Sequence, residues 1–192
     1  LGMPLGAVRE PIPRLEAEGL LHTVPQRGLQ IAHVDLKLIN NAFQLRLLLE
    51  REAAIRFTTS VPDAELAAIE QAHLDIVRRA RQGPIDNQLL SDATMVDWGL
   101  HDLMIDASKN ELISDVYRIN SLRVRLIKLE GTTLSADVLL SAIEEHLWFL
   151  DAVKQRDPQA AAQRLNHHIE SAHHRVLGLP RPVMPWSLEN LV

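Results

Sequence analysis

The sequence predicts a mostly α-helical fold built as an antiparallel helical bundle, and three observations carry that prediction. The first is where the helix breakers fall. Residues 1–34 hold four prolines and four glycines, residues 35–177 hold only Pro62, Pro84 and Pro158 with Gly83, Gly99 and Gly131, and the last fifteen residues return to Gly178, Pro180, Pro182 and Pro185. A long middle without breakers is built of long elements. The second is spacing: Ile39, Ala42, Phe43, Leu49, Ala53 and Phe57 recur at the interval of one helix face, as do Leu66, Ile69, His73 and Ile76. The third is punctuation at the breaks. Pro62 opens a second helix, Gly83-Pro84 ends it, and a third runs from about Asp86 to Ala107. A fourth runs from Asn110 to about Glu130, where Gly131 stops it. Ser135 is an N-cap for a fifth helix reaching Arg156, and Asp157-Pro158 starts a sixth that ends near Gly178. Six such helices form a bundle.

Composition narrows the class of protein. At 192 residues, 46% hydrophobic and net charge −5, the chain has enough apolar content for one ordinary core and is not disordered. Cysteine is absent, which excludes disulfides, thiolate metal sites and a cysteine nucleophile. No apolar run approaches the length of a membrane span and no signal peptide opens the chain, so the expected location is cytoplasmic. Nine histidines, and a basic complement of 16 arginines to 4 lysines, ask for a reason.

The first 34 residues differ from the rest. Arg9–Glu18 reads as a short helix capped by Gly19, and Leu20–Val24 and Leu29–Val34 read as two strands joined through Pro25-Gln26-Arg27-Gly28, a β-hairpin. A short helix and a hairpin bury no core of their own at this size, so they read as part of a small domain whose beginning is missing. Val8-Arg9-Glu10, then Arg14-Leu15-Glu16-Ala17-Glu18-Gly19-Leu20-Leu21, then Val24-Pro25-Gln26-Arg27-Gly28 closely resembles the end of a winged helix-turn-helix of the GntR type. The middle, with Leu45 to Glu50, Asp97 and His101, Asn110, Glu145-His146 and His168-Ile169, resembles the FadR C-terminal (FCD) effector domain of that family. Six helices rather than seven point to its VanR-like branch. The resemblance divides the chain into a partial DNA-binding head at 1–34, a helical effector domain at 35–178 and a proline-rich tail at 179–192. It implies that Arg9 and Arg14 reach bases or phosphate in the major groove and that Arg27 and Gly28 form the wing contact. Pro11 and Pro13 depart from the pattern: Pro13 has no N–H to bond back to Arg9, and the helix should be distorted or shortened. Arg9, Arg14 and Arg27 are matched by Glu10, Glu16 and Glu18, so this head should bind DNA weakly or not at all by itself.

Periodicity singles out four polar residues. Asp97 and His101 lie one turn apart on a face that continues through Met104 and Ile105. His146 has Ala142, Ile143, Phe149 and Leu150 at its i±3 and i±4 positions, and His168 has Leu165 and Ala172, whereas His167 has Arg164, Glu170 and Ser171 and should face solvent. Taken singly, each histidine reads as a satisfied core residue. Three inward histidines with an aspartate are costly to bury without a partner, and a divalent ion meets that cost: zinc first, with nickel, manganese or iron as alternatives. The resemblance implies the same four as metal ligands. His173 and His174 read as solvated beside the helix end, and His73 as structural.

Open positions on such an ion could activate water or hold a ligand carboxylate. The resemblance favours the second, a small organic acid. Arginine suits carboxylates because its fork binds them bidentately; Arg46 and Arg123 both lean inward. Arg46 could equally pair with Glu50 on its own helix, while Arg123 has no acid one turn away. The chain therefore reads as a homodimeric, metal-bearing, ligand-responsive transcription regulator rather than an enzyme. A metal-dependent hydrolase or isomerase, and a sensing or dimerising module without DNA binding, are the competing readings.

Overall fold

The computed structural model of the chain describes residue 2, residues 4–131 and residues 136–187. Its order is α1 (Leu5–Arg9), α2 (Ile12–Ala17), β1 (Leu21–Val24), β2 (Gly28–Ile31), α3 (Leu36–Ser60), α4 (Asp63–Gln82), α5 (Asn87–Asp106), α6 (Glu111–Gly131), α7 (Ala136–Lys154) and α8 (Pro158–Leu177). The six long helices form the expected bundle. Their starts are set by side chains that accept otherwise unpaired backbone N–H groups. Asp35 accepts from Leu38 N at 2.7 Å, Asp86 from Leu89 N at 2.8 Å and Asp157 from Ala160 N at 3.0 Å. Gly178 ends α8 in the left-handed conformation, with φ +67°, where any side chain would be strained. The proposed cap Ser135 lies outside the described residues.

The head differs from its expected form. In place of one helix over Arg9–Glu18 there are two short ones, broken at Glu10-Pro11, with Pro13 taken into the first turn of α2. Proline is tolerated there because the first-turn N–H has no helical partner. The hairpin forms, with Leu21 opposite Ile31 and Val24 opposite Gly28, and its second strand ends at Ile31 rather than Val34.

The core is continuous through the bundle. Phe43 and Phe57 of α3, Met104 of α5, Val124 and Ile127 of α6, Leu147 and Phe149 of α7 and Leu165 and Ile169 of α8 are all buried. Helix α8 packs on both α3 and α7, and α7 also meets α4 and α5. The described part of the tail folds back on the bundle: Trp186 packs against the core and Arg181 donates to Ser141 Oγ at 2.7 Å. Two histidines expected in solvent are held. His173 stacks on Phe43 with ring centroids 4.8 Å apart and meets Asn40 Oδ1 at 3.0 Å, tying α8 to α3. His167 is half-buried edge-on to Trp148. An aromatic neighbour on another helix outweighs hydration of one imidazole.

Replacing Asp86 with alanine removes the cap of the helix that carries Asp97 and His101. Urea unfolding should show a loss of about 1 kcal/mol, with no change in the denaturant slope.

Candidate metal centre

Three long helices bring four side chains to one point inside the bundle. Asp97 and His101 come from α5, His146 from α7 and His168 from α8, and one donor atom of each lies within 4.8 Å of every other. All three histidines are buried. His146 Nε2 is 3.2 Å from His168 Nε2 and 3.5 Å from Asp97 Oδ1. The His101 ring stands 5.1 Å from that of His146 and 5.2 Å from that of His168, centroid to centroid.

The outward side of each ring fixes where its proton sits. His73 Nδ1 is 2.8 Å from the Ile69 carbonyl, which can only accept, so this nitrogen carries the hydrogen and His73 Nε2 is a lone pair. His146 Nδ1, 3.1 Å from that lone pair, must then be the donor. His168 Nδ1 donates to Glu145 at 2.9 Å, and His101 Nδ1 donates to Glu50 at 2.7 Å. The Nε2 atoms of all three rings are therefore lone pairs. Those of His146 and His168 face one another at hydrogen-bond distance with no proton between them. Asp97 Oδ1 beside them is buried and has no donor among the described residues.

Burial and charge reinforce this state. Burial drives His146 and His168 well below the ordinary imidazole range; Asp97 opposes the effect at His146, and the neighbouring histidines deepen it at His168. Burial likewise lowers His73. The Asp97 carboxyl would be raised by burial, but the Lys128 ammonium leads the charges that outweigh it and hold it below the ordinary carboxylate range. Glu50, also opposed by burial, is brought down to about 2 by Arg46 and His101. The acids around the cluster are each matched by a cation: Arg46 Nε to Glu50 at 2.6 Å, Arg175 to Glu145 at 3.0 Å and Lys128 to Asp97 Oδ2 at 3.3 Å.

This donor set fits a divalent ion. Three imidazole nitrogens and one carboxylate oxygen converge, each imidazole is held from behind by a carboxylate or by a second imidazole, and two lone pairs lie too close to be stable alone. An ion there would supply the positive charge that both lone pairs and Asp97 Oδ1 lack.

The structure treats the other expected site residues differently. Arg46 is buried beside the cluster and pairs with Glu50 on its own helix. Its Nη2 also stands 3.3 Å from His101 Nε2, and its Nη1 has no partner among the described residues. Arg123 is not brought to the cluster. It binds a carboxylate of the protein's own head, with Nη2 donating to the Glu18 carbonyl at 2.8 Å and lying 3.6 Å from the Glu18 carboxylate. Its partner is distant in sequence, so no acid one turn away betrayed it. Arg9, Arg14, Arg27 and Gly28 are exposed on the head, and Gly28 takes φ +85° at the hairpin turn. His73, Glu50, Glu145 and Arg175 were missed as members of the site. Only the Arg46–Glu50 spacing signalled one of them, because the other contacts cross between helices.

Comparison with known proteins agrees with this architecture. Residues 41–171 match the FCD domain. The chain is 23% identical over 180 residues to the HTH-type transcriptional regulator YdhC of Bacillus subtilis, covering 90% of this chain and 77% of YdhC. E. coli McbR/YncC superposes with a TM-score of 0.75 at 18% identity, over 92% of this chain and 82% of that one. The Zn2+-bound FCD domain of TM0439 superposes with a TM-score of 0.59 at 21% identity, over 77% and 96%. The chain belongs to the FCD-domain family of GntR-type transcriptional regulators. Among the described residues no helix is long and apolar enough to cross a membrane.

The metal-free protein should lose stability in mild acid. His73, His146 and His168 have folded-state affinities for protons below that of an unfolded histidine, so the unfolded chain takes up more protons below about pH 6.5. Their contribution is complete above that pH and is lost as pH falls. His146 and His168 alone bring the slope toward about 3 kcal/mol per pH unit, twice the ~1.4 kcal/mol of one proton, and His73 adds to it in the same direction. Glu50 changes only lower, between about 4.5 and about 2. Urea unfolding in EDTA from pH 7.5 to 5.5 reads this directly, and a flat midpoint would contradict the assignment. Replacing His73 by alanine should weaken zinc binding roughly 10–100-fold in a chelator competition without removing a ligand.

Proposed function

We propose that this chain is a ligand-responsive DNA-binding regulator whose helical domain, residues 35–178, holds a divalent ion through Asp97, His101, His146 and His168 and takes a small carboxylate effector. The observation that carries the reading is the pair of facing lone pairs on His146 and His168, next to an unpartnered Asp97 oxygen. Zinc is the first choice, in line with the likeness to the Zn2+-bound FCD domain of TM0439. The charge balance supports an acidic effector. Arg46, Arg175 and Lys128 already offset Glu50, Glu145 and Asp97, so a divalent ion adds uncancelled positive charge in a buried place. Arg46, with Nη1 unpartnered, is the guanidinium at hand for an acid oxygen.

The site reads as a binding site rather than a hydrolytic one. Of the nearby acids, Glu50 is bound to Arg46 and His101 and Glu145 to Arg175 and His168, so neither serves as a base for a water. Asp102 lines a separate cleft with Tyr117 and Arg125. The cytoplasmic regulator would contact DNA through residues 1–34, by Arg9, Arg14 and the Arg27–Gly28 turn. Leu112, Val116, Leu122 and Leu129, exposed on α6, offer a second copy apolar contacts of the kind a dimer on a two-fold operator needs. The proline-rich residues 179–192 close the chain.

Metal analysis of the purified protein, followed by zinc titration after EDTA treatment, tests the reading. One ion per chain is expected. His146→Ala should lose about 100-fold or more in affinity, beyond the loss from an outer partner. A wild-type protein that takes up no divalent ion under reconstitution would overturn it.

A further inference from the structure

A cavity of about 70 Å³ adjoins the cluster, and its lining is of two kinds. Asp97, His168, Lys128 and Arg175 are polar, whereas Leu139, Ala142, Ile143 and Val176 are hydrocarbon and stand with the Trp98 ring. Neither Arg46 nor Arg123 lines it, so the carboxylate of a ligand seated here meets Lys128 in place of Arg46.

Of the two cations, Arg175 is committed. Both of its terminal nitrogens donate to Glu145, at 3.0 and 3.2 Å, which in turn orients His168. Lys128 is not. It has three hydrogens to give and one bond, a 3.3 Å contact to Asp97 Oδ2, with its Nζ lying 4.6 Å over the Trp98 ring. If Asp97 turns its charge to an ion, Lys128 is left as the positive group facing the cavity. Among the described residues the remaining walls are mostly hydrocarbon; Thr94 spends its hydroxyl hydrogen on the Leu90 carbonyl at 2.7 Å and is left only an oxygen that can accept. The volume corresponds to roughly five water-sized spheres.

Resting on the metal and carboxylate reading above, we infer that the effector is a short-chain monocarboxylate with an unsubstituted hydrocarbon body, held by Lys128 at its carboxylate and by Leu139, Ala142, Ile143 and Val176 along its chain. A hydroxyl or second carboxylate on the body would be stripped of water against these walls with few partners among the described residues, which disfavours sugar acids and dicarboxylates. Lys128 and Ala142 are then the residues that set specificity, one for charge and one for length.

Calorimetric titration of the zinc-reconstituted full chain with butyrate, 4-hydroxybutyrate and succinate tests this. Butyrate should bind about 10-fold or more tighter than either. Ala142→Phe should abolish butyrate binding, Ala142→Leu should weaken it by an intermediate amount, and Lys128→Met should weaken it, while zinc affinity by chelator competition stays within about threefold of wild type in the two Ala142 variants. Equal or tighter binding of succinate or 4-hydroxybutyrate, or butyrate binding unchanged in both Ala142 variants, overturns the inference. If zinc fails to bind the wild type, the metal reading falls by itself. Butyrate binding to the metal-free chain, lost in Ala142→Phe, would still uphold the cavity assignment, and its absence there would overturn both.

Discussion

Two imidazole lone pairs held 3.2 Å apart in the middle of a helical bundle are the constraint on which the rest of this structure turns. Each would be relieved by rotating its ring or by gaining a proton. Neither escape is open. His146 is locked by His73, itself locked by the Ile69 carbonyl, and His168 is locked by Glu145 and through it by Arg175. Burial keeps both rings neutral. The bundle therefore stores an unmet demand for positive charge at one point, and long uninterrupted helices are what make such storage stable. Rigid elements hold converging donors more accurately than loops do, and each donor here sits well inside a helix of 19 residues or more.

The surrounding ion pairs follow from the same demand. A buried carboxylate behind a ligand imidazole raises its basicity, but an unpaired buried charge costs several kcal/mol. Glu50 and Glu145 are affordable only because Arg46 and Arg175 accompany them. Much of the arginine excess near the site is thus explained by support of the outer acids. Arginine suits the task better than lysine because its planar fork can meet two acceptors at once, as Arg175 does with the two oxygens of Glu145.

The helices and the four converging residues were legible in the sequence because both are written in local periodicity. Asp97 and His101 declare a shared face by their spacing, and His146 and His168 by the apolar residues one turn away on either side. What supports them was not legible, for a geometric reason. Glu145 adjoins His146 in sequence, yet it points along a different direction of α7 and meets His168 on another helix. His73 lies on a correctly read inward face, but its partner is 73 residues away. Arg123 has no acid one turn off, and its carboxylate belongs to the head, 105 residues away. Local spacing specifies which way a side chain points; only the register between helices specifies what it meets. The head was partly legible: the prolines forecast an interrupted helix, and the structure resolves the conflict by starting a new helix at Ile12.

Helix α6 joins these separate features into one mechanical element. Lys128, which holds Asp97, and Arg123, which holds Glu18 at the end of α2, stand five residues apart on it, and the exposed Leu112, Val116, Leu122 and Leu129 lie on the same helix. Five residues make less than a turn and a half, so the two contacts are parts of one rigid piece. On the reading proposed above, an anion that draws Lys128 from Asp97 changes the restraint on α6 at one end of this short span, and the Arg123–Glu18 contact lies at the other. The head can respond only to the extent that the ligand favours one placement of α6 over another, because a ligand shifts an equilibrium by no more than its differential affinity for the two states. On that reading the difference is local and chemical: Lys128 answers Asp97 in the structure and would answer the effector in the other state.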